Sequence, residues 1–148
     1  RMQLSKFTDY ALRTLMHLAV ADGNLLTTRQ IADIHEAKYN HLAKVTQWLV
    51  REGYVSSNRG RSGGIKLAMA TPDVNVGELV RKLESQTELV ECMRPDGGHC
   101  ALSPACGLST ALIAAQNAFY AALDQVTLAD LTSKNAAMRR LLESLTRS

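Results

Sequence analysis

The sequence predicts a mainly α-helical protein with one small β-hairpin, arranged as a winged helix-turn-helix and followed by a long helix that pairs two copies of the chain. Three amphipathic segments come first. Two short alternating segments joined by a glycine-rich turn come next, and a long apolar helical repeat lies further along. Three helices followed by a hairpin is the order of a winged helix, whose third helix enters the major groove of DNA.

The first two helices follow from apolar spacing and from residues that start and stop helices. Apolar residues recur every three or four positions from Phe7 onward, which predicts a helix of about three turns. Gly23 ends that run. Thr27 or Thr28 can cap a second, shorter helix over residues 29–35.

A third helix is expected over residues 40–52, and it has two different faces. Leu42, Val45 and Leu49 face inward, and Trp48 beside them is expected to be part of the scaffold. The opposite stripe is polar and exposed, as a helix that reads DNA requires, although its histidine could be a surface residue with no such role. The candidate DNA contacts here are Thr28, Asn40, His41, Lys44 and Gln47.

A hairpin is predicted by strand-like alternation over residues 54–57 and 65–69, with a basic, glycine-rich turn between them. Arg59 and Arg61 flank Gly60, which keeps the tip thin enough for a guanidinium to reach a narrow A·T-rich minor groove. A turn made basic only for solubility is the alternative. The candidate contacts of this wing are Arg59, Gly60, Arg61 and Ser62.

Charge divides the chain into two parts. Residues 1–72 carry ten Lys and Arg against five Asp and Glu, whereas residues 73–148 carry seven against nine. A basic surface gains affinity for DNA because binding releases counterions from phosphates. We therefore expect a DNA-binding region over 1–72, and a cysteine loop with dimerisation helices over 73–148.

The second part is predicted to be helical. An amphipathic helix runs from Val76 to about Ser85, and a capping box at Thr127 begins the final helical region. That region ends in a helix whose Met138, Leu141, Leu142 and Leu145 are expected to fold back onto the body. Between the helix that begins at Val76 and the capping box at Thr127, apolar residues repeat at intervals of four, three, four and three positions. This is the pattern of a helix that packs on another helix, and its members are Leu108, Leu112, Ala115, Phe119 and Ala122.

This seam could be covered within one chain. A dimer is the favoured interpretation, because a winged helix that reads two half-sites needs two copies. No segment has the apolar length of a membrane span and no signal peptide opens the sequence, so we expect a cytoplasmic protein that does not act at a membrane.

All three cysteines of the chain, Cys92, Cys100 and Cys106, fall within fifteen residues of a loop. Their C-x7-C-x5-C spacing lacks the C-x2-C pair typical of structural zinc, but an iron–sulfur cluster tolerates longer spans. A partly oxidised thiol loop is the alternative. Because the chain has no C-x-x-C motif, no Ser/His/Asp set and no phosphate-binding loop, an enzyme is not expected.

Several segments together resemble the NsrR family of nitric-oxide-sensing bacterial repressors, which is related to the iron–sulfur regulator IscR. The resemblance implies a homodimer that binds a palindromic, AT-rich operator and releases it when nitric oxide nitrosylates the cluster. A regulator of iron–sulfur assembly or redox state of the IscR type is the alternative. The matching segments are residues 4–13, 40–45, 59–65, 90–92, 103–106 and 127–131.

The resemblance also suggests a fourth cluster ligand. A [4Fe-4S] cluster is favoured and needs one ligand beyond the three cysteines, whereas the long first cysteine gap leaves [2Fe-2S] open. In the resembling repressors the partner subunit offers the residue matching Asp9, whose other role would be that of an acid favoured by the helix dipole. His99 and a solvent molecule are the other candidates.

Overall fold

The computed structural model describes residues 3–85, 101–102 and 107–147. The element order matches the prediction, with three helices, a hairpin and further helices. The main elements are α1 (Lys6–Ala21), α2 (Thr28–Ile34), α3 (Tyr39–Arg51), β1 (Val55–Asn58), β2 (Gly64–Leu67), α4 (Val76–Leu83), α5 (Gly107–Leu123), α6 (Leu128–Leu131) and α7 (Ala136–Arg147).

Polar side chains cap the N-termini of several of these helices. The Ser5 hydroxyl accepts the Thr8 N–H at the start of α1, which is 16 residues long and so exceeds the three predicted turns. Thr27, not Thr28, caps α2, in a reciprocal capping box with Gln30. Thr127 forms the predicted box at α6. These caps satisfy N–H groups that have no partner inside the helix.

One apolar core joins the winged helix to the helices after it. The inward faces of α1, α2 and α3 are buried together with the first strand residues, and Val74, Leu79 and Leu128 belong to the same cluster. Because Leu79 of α4 and Leu128 of α6 belong to this close-packed core, α4 and α6 are held against the first three helices. The largest buried side chains of the winged helix are Leu15, Leu18, Ile31, Leu42 and Leu49.

The last helix folds back as predicted, since α7 packs against α1 and α2. Leu142 is buried and Met138 and Leu145 are half-buried. Leu141, expected to face inward with them, is 53% exposed. Leu141 directly precedes Leu142, and since an α-helix turns about 100° per residue, the two side chains point in different directions.

The long helix α5 is fastened to the body near its end. Arg81 of α4 donates two hydrogen bonds to the Asp124 carboxylate, at 2.6 and 2.8 Å, and its guanidinium lies 5.0 Å from the Tyr120 ring centroid. A side-chain carbon at Gly77 would lie 2.7 Å from the Asp124 backbone nitrogen, so only glycine allows this approach.

The rest of α5 is uncovered by the described residues. None of its residues is buried, and Leu108 and Ile113 are 60% and 44% exposed. Of the predicted seam, Leu112 and Phe119 are half-buried and the others are exposed. Among the described residues, no helix combines the length and apolarity needed to cross a bilayer.

Candidate nucleic-acid interface

The third helix has the two faces that its sequence predicts. Leu42, Val45 and Leu49 are at most 1% exposed and pack into the core. On the other side, Asn40, Lys44 and Gln47 are exposed. The helix therefore presents a polar surface whose orientation is fixed by a fully buried opposite face.

Two aromatic side chains of α3 secure it against α1. The His41 ring, a predicted DNA contact, is half-buried, with its centroid 6.1 Å from that of Phe7 and 5.3 Å from that of Tyr10. Trp48 stacks on Tyr54 at 6.2 Å and meets Phe7 edge-on, which confirms its expected place in the scaffold. His41 thus helps to hold the first turns of α3 on α1.

The wing is the two-stranded antiparallel hairpin of β1 and β2, in which Val55 lies opposite Leu67 and Asn58 opposite Gly64. Its tip is exposed and consists of the four predicted wing residues, Arg59, Gly60, Arg61 and Ser62. Gly60 has φ +108°, a conformation that L side chains rarely adopt, so the turn itself requires glycine here.

Backbone hydrogen bonds attach the wing to the start of α2. The Leu26 N–H donates to the Ile65 carbonyl at 3.1 Å, and the Ile65 N–H donates to the Leu26 carbonyl at 2.7 Å. A side-chain carbon at Gly64 would lie 2.8 Å from the Leu26 carbonyl oxygen. The wing and α2 are therefore held at a fixed separation.

A cavity of about 330 Å³ lies where the start of α2, the face of α3 and the wing meet. Its lining includes Thr28, whose hydroxyl lies 3.2 Å from that of Thr46, and no acidic residue. Arg29 and Tyr39 also line it, with the guanidinium 4.3 Å from the ring centroid. Residue spacing does not predict this pair, because Arg29 and Tyr39 lie on different helices and only the helix packing brings them together.

Four basic residues of this surface have no ion pair within the part of the chain that the structure describes. Within the described ranges, no carboxylate lies in ion-pair distance of Arg29, Lys44, Arg59 or Arg61. Carboxylates do pair with some of the cationic groups elsewhere, namely those of Arg13, Arg81, Lys82, Lys134 and Arg139. Charges without a partner leave this face positive and available to phosphates.

The predicted cluster ligands are only partly described. Asp9 lies in the first turn of α1, where each carboxylate oxygen accepts a 2.8 Å hydrogen bond from Arg13, and about half of its side chain is exposed. Cys92, His99, Cys100 and Cys106 lie outside the described residues. Among those described, no three His, Cys, Asp or Glu side chains come together as a metal site.

A buried carboxylate joins the end of α4 to the start of α1. Glu84 is 6% exposed, and its Oε1 accepts hydrogen bonds from the Ser5 N–H at 2.8 Å and the Thr8 hydroxyl at 2.6 Å. Glu84 is also the C-cap of α4, the residue directly after Leu83. The residue where the described chain turns toward the cysteine-bearing segment is thereby tied to the helix turn that carries Asp9.

Two histidines link α1 to the turn after α2. Their Nε2 atoms lie 2.8 Å apart, so one ring donates a hydrogen bond to the other. His17 is buried, and burial together with the nearby charge of His35 lowers the His17 pKa from 6.5 to about 4. The pKa of His35 is also lowered, first by burial and then by Arg13. The pair is therefore neutral near pH 7.

Comparison with known proteins gives consistent results. Residues 4–134 match the model of the Rrf2 family, described as an iron-dependent transcriptional regulator. The chain is 43% identical over 143 residues to the HTH-type transcriptional regulator NsrR of Bacillus subtilis (strain 168), covering 96% of this chain and 98% of that protein. The resemblance identified from the sequence is thus confirmed.

Solved structures agree on the fold. CymR, the global cysteine regulator of B. subtilis, superposes with a TM-score of 0.69 at 25% identity, over 91% of this chain and 99% of that one. T. potens IscR gives a TM-score of 0.68 at 23% identity, over 87% of this chain and 85% of that one. The mainly helical winged-helix fold expected from the sequence is therefore confirmed.

Proposed function

Because the chain belongs to the Rrf2 family of transcriptional regulators, we propose that it is a dimeric repressor that senses nitric oxide through a cysteine-ligated iron–sulfur cluster. It would bind a palindromic, AT-rich operator in the bacterial cytoplasm and release it when the cluster is nitrosylated. The regulator of the IscR type has weaker support, since IscR is similar at the level of the fold alone.

The proposal that the protein binds DNA rests on the exposed basic side chains of α3 and the wing, which have no carboxylate partner among the described residues. Lys44, Arg59 and Arg61 are exposed on elements whose opposite sides are buried, so a duplex meets them in a fixed arrangement. Asn40 and Gln47 are amides that can pair with adenine edges in the major groove. Wing guanidiniums suit the narrow minor groove of A·T-rich DNA.

The dimeric part is supported by α5. This helix has no charged side chain along its 17 residues, and its apolar side chains remain exposed among the described residues. A helix of that composition is normally buried. A second copy of the same helix would cover it and would place two winged helices on the two half-sites of a palindrome.

The donor set fits an iron–sulfur cluster. Cys92, Cys100 and Cys106 would supply three thiolates, and the half-exposed carboxylate of Asp9 is open to a cluster held by another subunit. When bound, the cluster supplies iron that reacts with nitric oxide. The role of Asp9 would be to hold α1 to the partner's loop, and Arg13 would orient its carboxylate.

The Glu84 contacts offer a way for the loop to influence DNA binding. A change in the cysteine loop would pull on the end of α4, and Glu84 would transmit it to Ser5 and Thr8. A coupling free energy of roughly 1–3 kcal/mol between loop and head would change operator affinity about 5- to 150-fold.

The test combines DNA binding with the cluster. Protein purified without oxygen should be brown, contain iron and sulfide in equal amounts, and bind a duplex selected from a randomised library until nitric oxide is added. Each Cys→Ala variant at 92, 100 or 106 should be colourless yet dimeric. Stoichiometric zinc without sulfide would contradict the sensor.

Asp9 needs a control that separates ligation from its ion pair. Asp9→Ala should keep a cluster-like absorbance but switch less fully with nitric oxide, whereas Arg13→Gln removes the same ion pair and keeps the carboxylate. If both variants lose the same part of the switch, Asp9 acts only through Arg13. If Asp9→Ala switches fully, His99 or solvent is the better fourth ligand.

Lys44→Ala tests the DNA-facing surface, with Lys134→Ala as the matched control outside α2, α3 and the wing. Loss of a phosphate contact should reduce the slope of log affinity against log salt by about one unit for Lys44→Ala and leave it unchanged for the control. Equal slopes for both variants would remove Lys44 from the interface.

A further inference from the structure

The cavity between α2, α3 and the wing contains a cation that the expected DNA contacts do not include. Arg29 projects from the first turn of α2, and its guanidinium lies 4.3 Å from the centroid of the Tyr39 ring at the start of α3. Both side chains line the cavity, and both residues are exposed, Tyr39 to 42%. The stack is therefore open to a ligand that approaches from the DNA side.

The contact leaves the hydrogen-bonding edge of Arg29 unused. A guanidinium above an aromatic ring is attracted through its face, while its five N–H groups point outward in its own plane. No carboxylate of the described residues pairs with Arg29, and the cavity lining has no acidic residue. A fixed fork of donors without a partner matches two oxygens of a phosphate.

The cavity also has the size and surroundings that a phosphodiester requires. Its volume is about 330 Å³, and the hydroxyl-bearing residues Thr27, Thr28 and Ser57 line it together with Arg61 of the wing. Since the wing is hydrogen-bonded to the segment before α2, the two arginines are carried by one connected unit. A DNA strand passing between α3 and the wing would run across the mouth of this cavity.

We propose that Arg29 is a DNA-backbone contact held in position by Tyr39, and that the cavity between α2, α3 and the wing receives one phosphodiester group. Arg29 touches the nucleic acid, whereas Tyr39 is a positioning residue that acts through Arg29. The proposal rests on the DNA binding proposed above and adds two residues to it.

The test uses the full-length protein, a fluorescent duplex selected by the wild type from a randomised library, and affinity measured across a salt titration. Arg29→Gln should reduce the slope of log affinity against log salt by about one unit and weaken binding about fivefold at 0.15 M salt. Arg140→Gln, which removes an exposed arginine of α7, is the matched control and should leave the slope unchanged.

Tyr39 is tested by what its ring does for Arg29. Tyr39→Leu should weaken binding about two- to fivefold, the value of an exposed cation–π contact, whereas Tyr39→Phe keeps the ring and should bind like the wild type. In the Arg29→Gln background, Tyr39→Leu should have no further effect. Thermal unfolding of each variant confirms that the fold is retained.

Three results would overturn the proposal while leaving DNA binding intact. They are a wild-type salt slope for Arg29→Gln, additive losses for Arg29→Gln and Tyr39→Leu, and equal losses for Tyr39→Phe and Tyr39→Leu. If the wild type selects no duplex at all, the proposed function fails as well, and the two failures are thus distinguished.

Discussion

The winged helix buries its apolar side chains, whereas α5 leaves its apolar side chains at least partly exposed. Leu15, Ile31 and Leu49 of the winged helix are at most 1% exposed, while in α5 no residue is buried and Leu108 is 60% exposed. Yet α5 has no charged side chain anywhere along its length. Apolar composition thus predicts that a helix will be covered, but it does not say whether its own chain covers it.

The largest loss of stability should follow from shortening a side chain in the core of the winged helix. Leu15→Ala removes a fully buried side chain of α1 and should lower the free energy of unfolding by about 2–5 kcal/mol. Chemical denaturation followed by circular dichroism measures it. The loss should be the same at every protein concentration, because this residue packs within one chain. A concentration-dependent loss would place Leu15 itself in the subunit interface.

Lowering the pH should destabilise the winged helix but should not affect α5, which has no Asp, Glu or His side chain to take up a proton. The folded protein holds the His17 pKa at about 4, against 6.5 in the unfolded chain. The unfolded chain therefore takes up its proton first as the pH falls. The free energy of unfolding should drop between pH 6.5 and 4, by at most about 3 kcal/mol from this group.

Denaturation of cluster-free protein at several pH values measures this dependence. His35 should contribute in the same direction, because its pKa is lowered too. His17→Gln should flatten the curve. An unchanged slope in that variant would assign the acid sensitivity to other groups.

A smaller effect is expected in α5. Ile113→Ala should leave the folding of each chain nearly unchanged but weaken dimer association about tenfold, as removal of a partly buried aliphatic side chain would. Sedimentation at several protein concentrations measures it. Leu141→Ala, which shortens an exposed apolar residue of α7, is the control and should not alter association. Equal behaviour of the two variants would leave α5 without a role in the dimer.

The contrast also explains how much the sequence could predict. Helix positions and caps follow from local spacing, and so the faces of α3 and the capping box of Thr127 were predicted correctly. Contacts between elements that are distant in the sequence do not follow from local spacing. The Arg29–Tyr39 stack and the Glu84 bonds to α1 depend on how helices cross, which no spacing rule specifies.

The same limit applies to the candidate site. The exposed stripe of α3 and the wing tip could be predicted from residue types, whereas the contact of His41 with Phe7 and Tyr10 depends on the packing of α3 on α1. The shared core across residues 72 and 73 is a further example. Val74 and Leu79 were assigned to the second part by charge, but they pack with the first.

The packing of α7 on α1 has a consequence for how the protein is made. These helices are separated by more than a hundred residues of sequence, so their contact closes a very long loop and forms late. While the chain is emerging from the ribosome, α1 is complete long before the helix that covers it. Until α7 appears, the apolar surface of α1 and α2 that it covers stays open to chaperones and proteases.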